Sequence, residues 1–186
     1  MTPIFGVTGW KNSGKTTLTT RLIAEFARRG YRVSSIKHAH HAFDIDVPGT
    51  DSFRHREAGA TEVAIVSASR WALMHELRPN DTADREPSLD EIVARLAPAD
   101  LILVEGYKRE RHPKIECRRQ QSHDKGPLAP TDPMIVAIAT DNTAEHAGGT
   151  GDLPRFDLDA VAEIADFIAA YHALPKPRTD AAAQTA

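Results

Sequence analysis

The stretch Gly9-Trp10-Lys11-Asn12-Ser13-Gly14-Lys15-Thr16 sets two glycines five residues apart, followed at once by a lysine and the threonine pair Thr16 and Thr17. These residue types at this spacing suit a phosphate chain. Glycine admits the backbone curl that turns successive N–H groups inward, and a helix beginning there adds partial positive charge. In the pattern G-x-x-x-x-G-K-[ST] the lysine reaches the β- and γ-phosphates and the next hydroxyl coordinates Mg2+. Gly9, Lys11, Asn12, Ser13, Gly14, Lys15, Thr16 and Thr17 are therefore expected around the phosphates of a nucleotide, with Thr16 also at the metal.

Such a metal needs acids, and in an open α/β sheet these sit at the carboxyl ends of strands. The apolar run ADLILVEG ends at Glu105-Gly106, which delivers a carboxylate at that edge beside a glycine that leaves room for phosphate or water. In FDIDVPG, Asp44 and Asp46 lie two apart, so an extended loop points both to one side. Asp46 is preferred and Asp44 stands next; a plain turn role is the alternative for either. Glu105 and Asp46 are thus expected as metal ligands and as the acids of any hydrolysis. The run Lys37-His38-Ala39-His40-His41 matches no standard zinc spacing, and Cys117 is the single cysteine. Lys37 and His38 are expected instead to line the phosphate crevice, with Asp51, Ser52, His55 and Arg56 as the mobile wall opposite; a solvated helix face is the alternative for DSFRHRE. On the base side the candidate is Asp141, at the end of the apolar PMIVAIAT run. No Asn-Lys-x-Asp tetrad for guanine is present, and a turn role explains Asp141 equally well. In YKRERHPK, the cations Lys108, Arg109, Arg111 and Lys114 form either a hold for an anionic ligand or acidic partner, or a solvated basic turn.

The elements that must position these residues follow from hydrophobic periodicity. PIFGVTG reads as a strand, Thr17 to Arg29 as an amphipathic helix stopped by Gly30, and YRVSSIKH as a second strand. DSFRHREAGA reads as a short helix capped at Asp51, and TEVAIVSAS with RWALMHEL as an antiparallel hairpin at one sheet edge. SLDEIVARLA is a helix capped by Ser88; ADLILVEG, KIECRR and PMIVAIATD are strands; DLDAVAEIADFIAAYHAL is the last helix. The alternation predicts an α/β fold, a mostly parallel sheet with helices on both faces in the three layers of a P-loop NTPase. RPNDTADREPS is expected to be a mobile loop. Residues 1–174 are expected to form one nucleotide-binding domain, and 175–186 a disordered tail.

Length and composition agree with this reading. The 186 residues suit one domain, with 41% hydrophobic and 26% charged residues and a formal net charge of −3 that gives no general pull toward nucleic acid. No apolar run approaches a membrane span, and the start lacks a secretory signal, so a cytoplasmic location is expected.

Together, GWKNSGKTTL, KHAHHAFDIDVPGTDSFRHREAGA and DLILVEGYK followed by PKIE resemble the molybdopterin-guanine dinucleotide biosynthesis protein B family, MobB, in order and spacing through about Arg119. The first motif is shared by a large superfamily; the other two are more specific. The resemblance implies a GTP-binding, usually dimeric protein of molybdenum cofactor biosynthesis. Its partner would be the guanylyltransferase that joins molybdopterin to GMP, with a molybdopterin-type ligand in play, and nucleotide hydrolysis would be slow at most. It also strengthens Glu105 and Asp46 around Mg2+. A P-loop kinase or ligase-like phosphotransferase acting on a small acceptor is the alternative reading, although no acceptor pocket or arginine-bearing lid is evident.

Overall fold

A computed structural model describes residues 2–39, 43–77, 86–122, 126–142 and 153–176. The elements run β1 (Ile4–Gly9), α1 (Lys15–Arg28), β2 (Val33–Lys37), α2 (Asp51–Glu57), β3 (Glu62–Val66), β4 (Trp71–His75), α3 (Leu89–Val93), β5 (Leu101–Glu105), β6 (Lys114–Arg118), β7 (Ile135–Thr140), β8 (Arg155–Asp157) and α4 (Val161–Tyr171). The chain divides into two compact units, one of residues 1–38 and 96–186, the other of residues 39–95.

The first unit is built on a six-stranded sheet in the order β2-β5-β1-β6-β7-β8. Every neighbouring pair is parallel. All six carboxyl ends therefore share one edge; α1 lies in the crossover from β1 to β2, and α4 follows β8. Alternate residues of the central strands, Phe5 and Val7, Leu101 and Leu103, Ile115 and Cys117, Ala137 and Ala139, share one core with Leu18, Leu22 and Phe26 of α1 and Ile164, Ala165 and Ile168 of α4. The helical spacing of those residues is what lets both helices bury one stripe on the sheet. Phe5 anchors the seam, meeting Phe167 and Tyr171 of α4 edge-on.

Other residues of the same strands carry charge into the interior. Lys114 and Glu116 are buried, and a buried charge persists only with partners. Lys114 Nζ donates to the carbonyls of Glu110 (2.7 Å) and Lys108 (3.1 Å) and lies 3.2 Å from Asp132. The Glu116 carboxylate accepts the N–H groups of Leu128 (2.7 Å) and Ala129 (2.9 Å) and a guanidinium N–H of Arg118 at 2.9 Å. These two side chains hold the loops after β5 and after β6 from beneath. Lys114 is thus no member of an exposed basic cluster.

The second unit contains the expected hairpin. β3 and β4 pair antiparallel as a separate two-stranded sheet, not as an edge of the large one. α2 is capped by Thr50, one residue before the Asp51 expected, through its hydroxyl and the N–H of Phe53. Ser88 caps α3 in a reciprocal box with Glu91, and that helix stops at Val93. Further differences are local. α1 begins at Lys15 and not Thr17, β8 was not foreseen, and α4 starts at Val161 because Leu158 and Asp159 form a turn. Most of the expected mobile loop, residues 78–85, and the expected tail from 177 lie outside the described residues.

His112 lies 5% exposed against Gly6, and neither ring nitrogen has a hydrogen-bond partner. Burial first, and then the Lys114 charge, pull its pKa down to about 4, against a smaller opposing effect of Asp132. The native state therefore favours neutral imidazole. The stability this confers is complete above pH 6.5 and is lost as pH falls toward 4, by about 1.4 kcal/mol per unit. Urea unfolding of the wild type and of His112→Gln between pH 7 and 4 should show a wild-type slope steeper by nearly one proton. Equal slopes would mean that His112 titrates normally.

Candidate functional site: a phosphate loop beside a buried carboxylate

The Gly9–Gly14 loop obtains its curl from three residues with positive φ, Gly9 (144°), Asn12 (65°) and Gly14 (92°). A Cβ on Gly9 would come within 2.5 Å of Ser13 Oγ and 2.6 Å of the Cys117 carbonyl, so only glycine fits there. Gly14 is the N-cap of α1 and contributes no side-chain cap, and the first turn carries no acid. The first N–H groups of α1 are thus left for an anion. Ser13 Oγ, buried and without a hydrogen-bond partner, adds a polar atom to the same loop. Lys11 and Asn12 form its exposed crest, and Thr17 is exposed on the first turn of α1.

Lys15 Nζ donates to the Trp10 carbonyl at 2.6 Å, which keeps the ammonium on the loop's own backbone. Its pKa is lowered, chiefly by burial and also by Lys37, with Cys117 and Glu105 opposing. Cys117 itself is fully buried with its thiol pushed up to about 12, an inert group in this setting.

Glu105 ends β5 at the register of Val7 in β1 and Lys37 in β2. Its Oε1 accepts the Thr16 hydroxyl at 2.7 Å and lies 3.2 Å from Lys37 Nζ. Hydroxyl and carboxylate are hard oxygen donors of the kind Mg2+ takes, and Mg2+ in phosphate sites needs only one or two protein ligands. The residues present therefore fit that ion. Beyond Glu105 the chain turns sharply through Gly106 and Tyr107, with φ of 96° and 45°. His38 packs on this turn. Its ring lies 4.7 Å from that of Tyr107, and a Cβ on Gly106 would stand 3.1 Å from His38 Cβ.

The far rim is formed by the ends of β6 and β7. A cavity of about 380 Å3 there is lined by Trp10, Cys117, Arg119, Gln120, Thr140 and Asn142 among others. Asp141 lies between two lining residues without lining the cavity itself. Its carboxylate accepts the Gln120 N–H at 2.9 Å and stands 3.7 Å from Arg119 Nε. Trp10 was missed by motif reading, although an aromatic inside a glycine-rich loop is a visible signal. Its indole N–H donates to the Gly126 carbonyl at 2.7 Å, and Lys108 Nζ lies 4.1 Å from its ring centroid. Lys108 is therefore engaged on the phosphate loop itself, while Arg109 and Arg111 are exposed.

Asp44 and Asp46 belong to the second unit, where both serve local structure. Asp44 accepts the Asp46 N–H at 3.0 Å, which with Arg56 lowers its pKa. Asp46 is buried and takes the Ser52 hydroxyl at 2.6 Å. Arg56 gathers Asp44 (2.9 Å), Asp46 (3.5 Å) and Glu76 (3.5 Å) around one guanidinium. The structure thus joins the phosphate-loop residues to Glu105 within the first unit and holds Asp46 in a separate network. His40 and His41 lie outside the described residues.

Comparison with known proteins gives one consistent answer. The family model for Molybdopterin guanine dinucleotide synthesis protein B, MobB, matches residues 4–141, well past the motifs that end near Arg119. The chain is 39% identical over 168 residues to the molybdopterin-guanine dinucleotide biosynthesis adapter protein of Haemophilus influenzae, covering 89% of this chain and 87% of that one. It is 35% identical over 170 residues to the adapter protein of the same name from Escherichia coli, covering 90% and 92%. Among solved structures, Bacillus subtilis MobB superposes with a TM-score of 0.68 at 26% identity, over 88% of this chain and 96% of that one. The MobB homolog from Bacillus stearothermophilus gives 0.64 at 27% identity, over 90% and 98%.

The loop geometry makes Lys15 the cation held on the loop's own backbone. Lys15→Ala should weaken triphosphate binding by tens to hundreds fold, on the order of 2–3 kcal/mol, and leave the fold intact. Calorimetric titration beside a circular dichroism melt checks this. Unchanged affinity in a folded variant would remove the phosphate-cradle assignment.

Proposed function

The chain belongs to the MobB family, and from that premise we propose that it is a GTP-binding adapter in molybdopterin guanine dinucleotide biosynthesis, assisting the enzyme that joins molybdopterin to GMP. The observation that carries the nucleotide half of this reading is the Thr16–Glu105 hydrogen bond beside the uncapped start of α1. It sets a metal-type oxygen pair against a phosphate cradle. Gly9, Ser13, Gly14, Lys15 and Thr16 hold the phosphates, with Lys11, Asn12 and Thr17 at their border, and Thr16 and Glu105 hold Mg2+. That ion, when bound, neutralises phosphate charge and fixes its orientation. The cavity at the ends of β6 and β7 is assigned to the nucleoside, with Asp141 as the base-side residue through carboxylate lone pairs left by Gln120 and Arg119.

Adapter work asks for grip and presentation more than turnover, so hydrolysis is slow and auxiliary. Family membership favours this over a phosphotransferase acting on a small acceptor. Arg109 and Arg111, exposed beyond Glu105, suit an acidic partner surface or an anionic pterin. A homodimer is supported by the second unit, where Ile65, Val66, Trp71 and Leu73 of the hairpin are exposed. A two-stranded sheet is marginal alone and gains from a covering surface. No helix among the described residues is long and apolar enough to cross a membrane, and the proposed pathway role places the protein in the cytoplasm.

Titration with GTP and ATP, with and without Mg2+, beside a hydrolysis assay, tests the proposal. The expected result is Mg2+-dependent binding that prefers GTP, with little turnover. Equal affinities together with rapid phosphoryl transfer to a small acceptor would replace it.

Glu105→Gln should flatten the Mg2+ dependence of GTP binding, because a neutral amide replaces the carboxylate charge beside Thr16. An Mg2+ titration unchanged from wild type would remove Glu105 from the metal assignment.

A further inference from the structure

Glu105 Oε1 has two partners of different character. Thr16 is fixed on the first turn of α1, whereas Lys37 is a flexible ammonium whose side chain is 61% exposed against 11% for Glu105. The approach of Lys37 is dictated by the sheet. β2 and β5 pair in register Lys37↔Glu105, and the next residue, His38, donates its N–H to the Glu105 carbonyl at 3.0 Å. Both side chains thus leave neighbouring strands at the same level of the carboxyl edge. An oxygen that already accepts a hydroxyl at 2.7 Å and faces an ammonium at 3.2 Å has little room for a further cation.

We propose that Lys37 is a positioning residue that competes with the divalent cation for Glu105, holding the carboxylate oriented toward Thr16 until the metal displaces it. This rests on the nucleotide-binding reading above. Burial makes an unpaired carboxylate costly, so a resident cation 3.2 Å away offsets that cost and keeps Glu105 aimed at the phosphate loop. Lysine suits the role better than arginine. Its compact, hydrated ammonium on a flexible stem leaves easily, whereas a guanidinium would grip the carboxylate through two parallel hydrogen bonds.

Competition predicts opposite signs for two substitutions at one position. Mn2+ binding to the nucleotide-free protein, followed by the ion's electron paramagnetic resonance signal, should tighten in Lys37→Gln and weaken in Lys37→Arg, each by about two- to fivefold, as suits a half-exposed ion pair. The Mg2+ concentration that half-restores GTP affinity should move the same way in each variant. In EDTA, GTP should bind Lys37→Gln more weakly than wild type and Lys37→Arg about equally. Shifts of the same sign in both variants, or none, would overturn the proposal, since loss of packing moves both alike. Absence of GTP binding in the wild type would count against the nucleotide reading instead, while the Mn2+ measurement still decides the role of Lys37.

Discussion

A carboxylate at the end of a strand buried along its whole length has to be partnered, and the site is organised around that requirement. Glu105 cannot reach bulk water freely, so its charge is met by the first helical turn after the phosphate loop and by the end of β2. Because all six strands of the first unit are parallel, every carboxyl end lies on one edge. The start of α1, the Lys37 ammonium and the rim after β6 and β7 consequently gather on one edge, the edge to which the proposed nucleotide site is assigned. A reversed strand would have delivered its own terminal group to the opposite edge.

That edge is made of loops, and loops must be held. Here the anchors are charged residues inside the sheet. Lys114 and Glu116 carry charge where apolar side chains would pack more simply, and each is satisfied by backbone groups of the segment it anchors. Stripping either charge of its partners would leave it uncompensated in the interior, at a cost of about 3–5 kcal/mol. The arrangement ties the loop after β5, which follows directly on Glu105, to the strand beside β1. Trp10 extends the tie by joining the phosphate loop to Gly126 and Lys108.

The second unit follows a different logic. Its interior is meagre, and Arg56 with its three acids does much of the local organisation. Its hairpin leaves Trp71 and Val66 more than 70% exposed. A polar hub beside an exposed apolar ribbon suits an element completed by association, in contrast with the close-packed first unit built on Phe5, Leu18, Leu22 and Phe26.

Much of this was legible in the residue order, because it depends on short-range chemistry. The phosphate loop, Glu105 at the end of an apolar run, the Ser88 capping box and the strand–helix alternation all follow from spacing within a few residues of one another. Family resemblance could likewise be carried by three motifs. Only the tertiary structure decided that Lys114 turns inward while Arg109 and Arg111 stay out. Its partners, Asp132 and the carbonyls of Glu110 and Lys108, come from two different loops, and periodicity reports which face a residue takes without saying what waits there. The same limit applies to Trp10 against Gly126, 116 residues away, and to a hairpin that forms its own sheet. Lys37 shows the boundary most clearly. Its place near the crevice could be read from sequence, but its contact with Glu105 exists because β2 pairs with β5 in one register, and strand partners distant in sequence are chosen by the packing of the whole sheet.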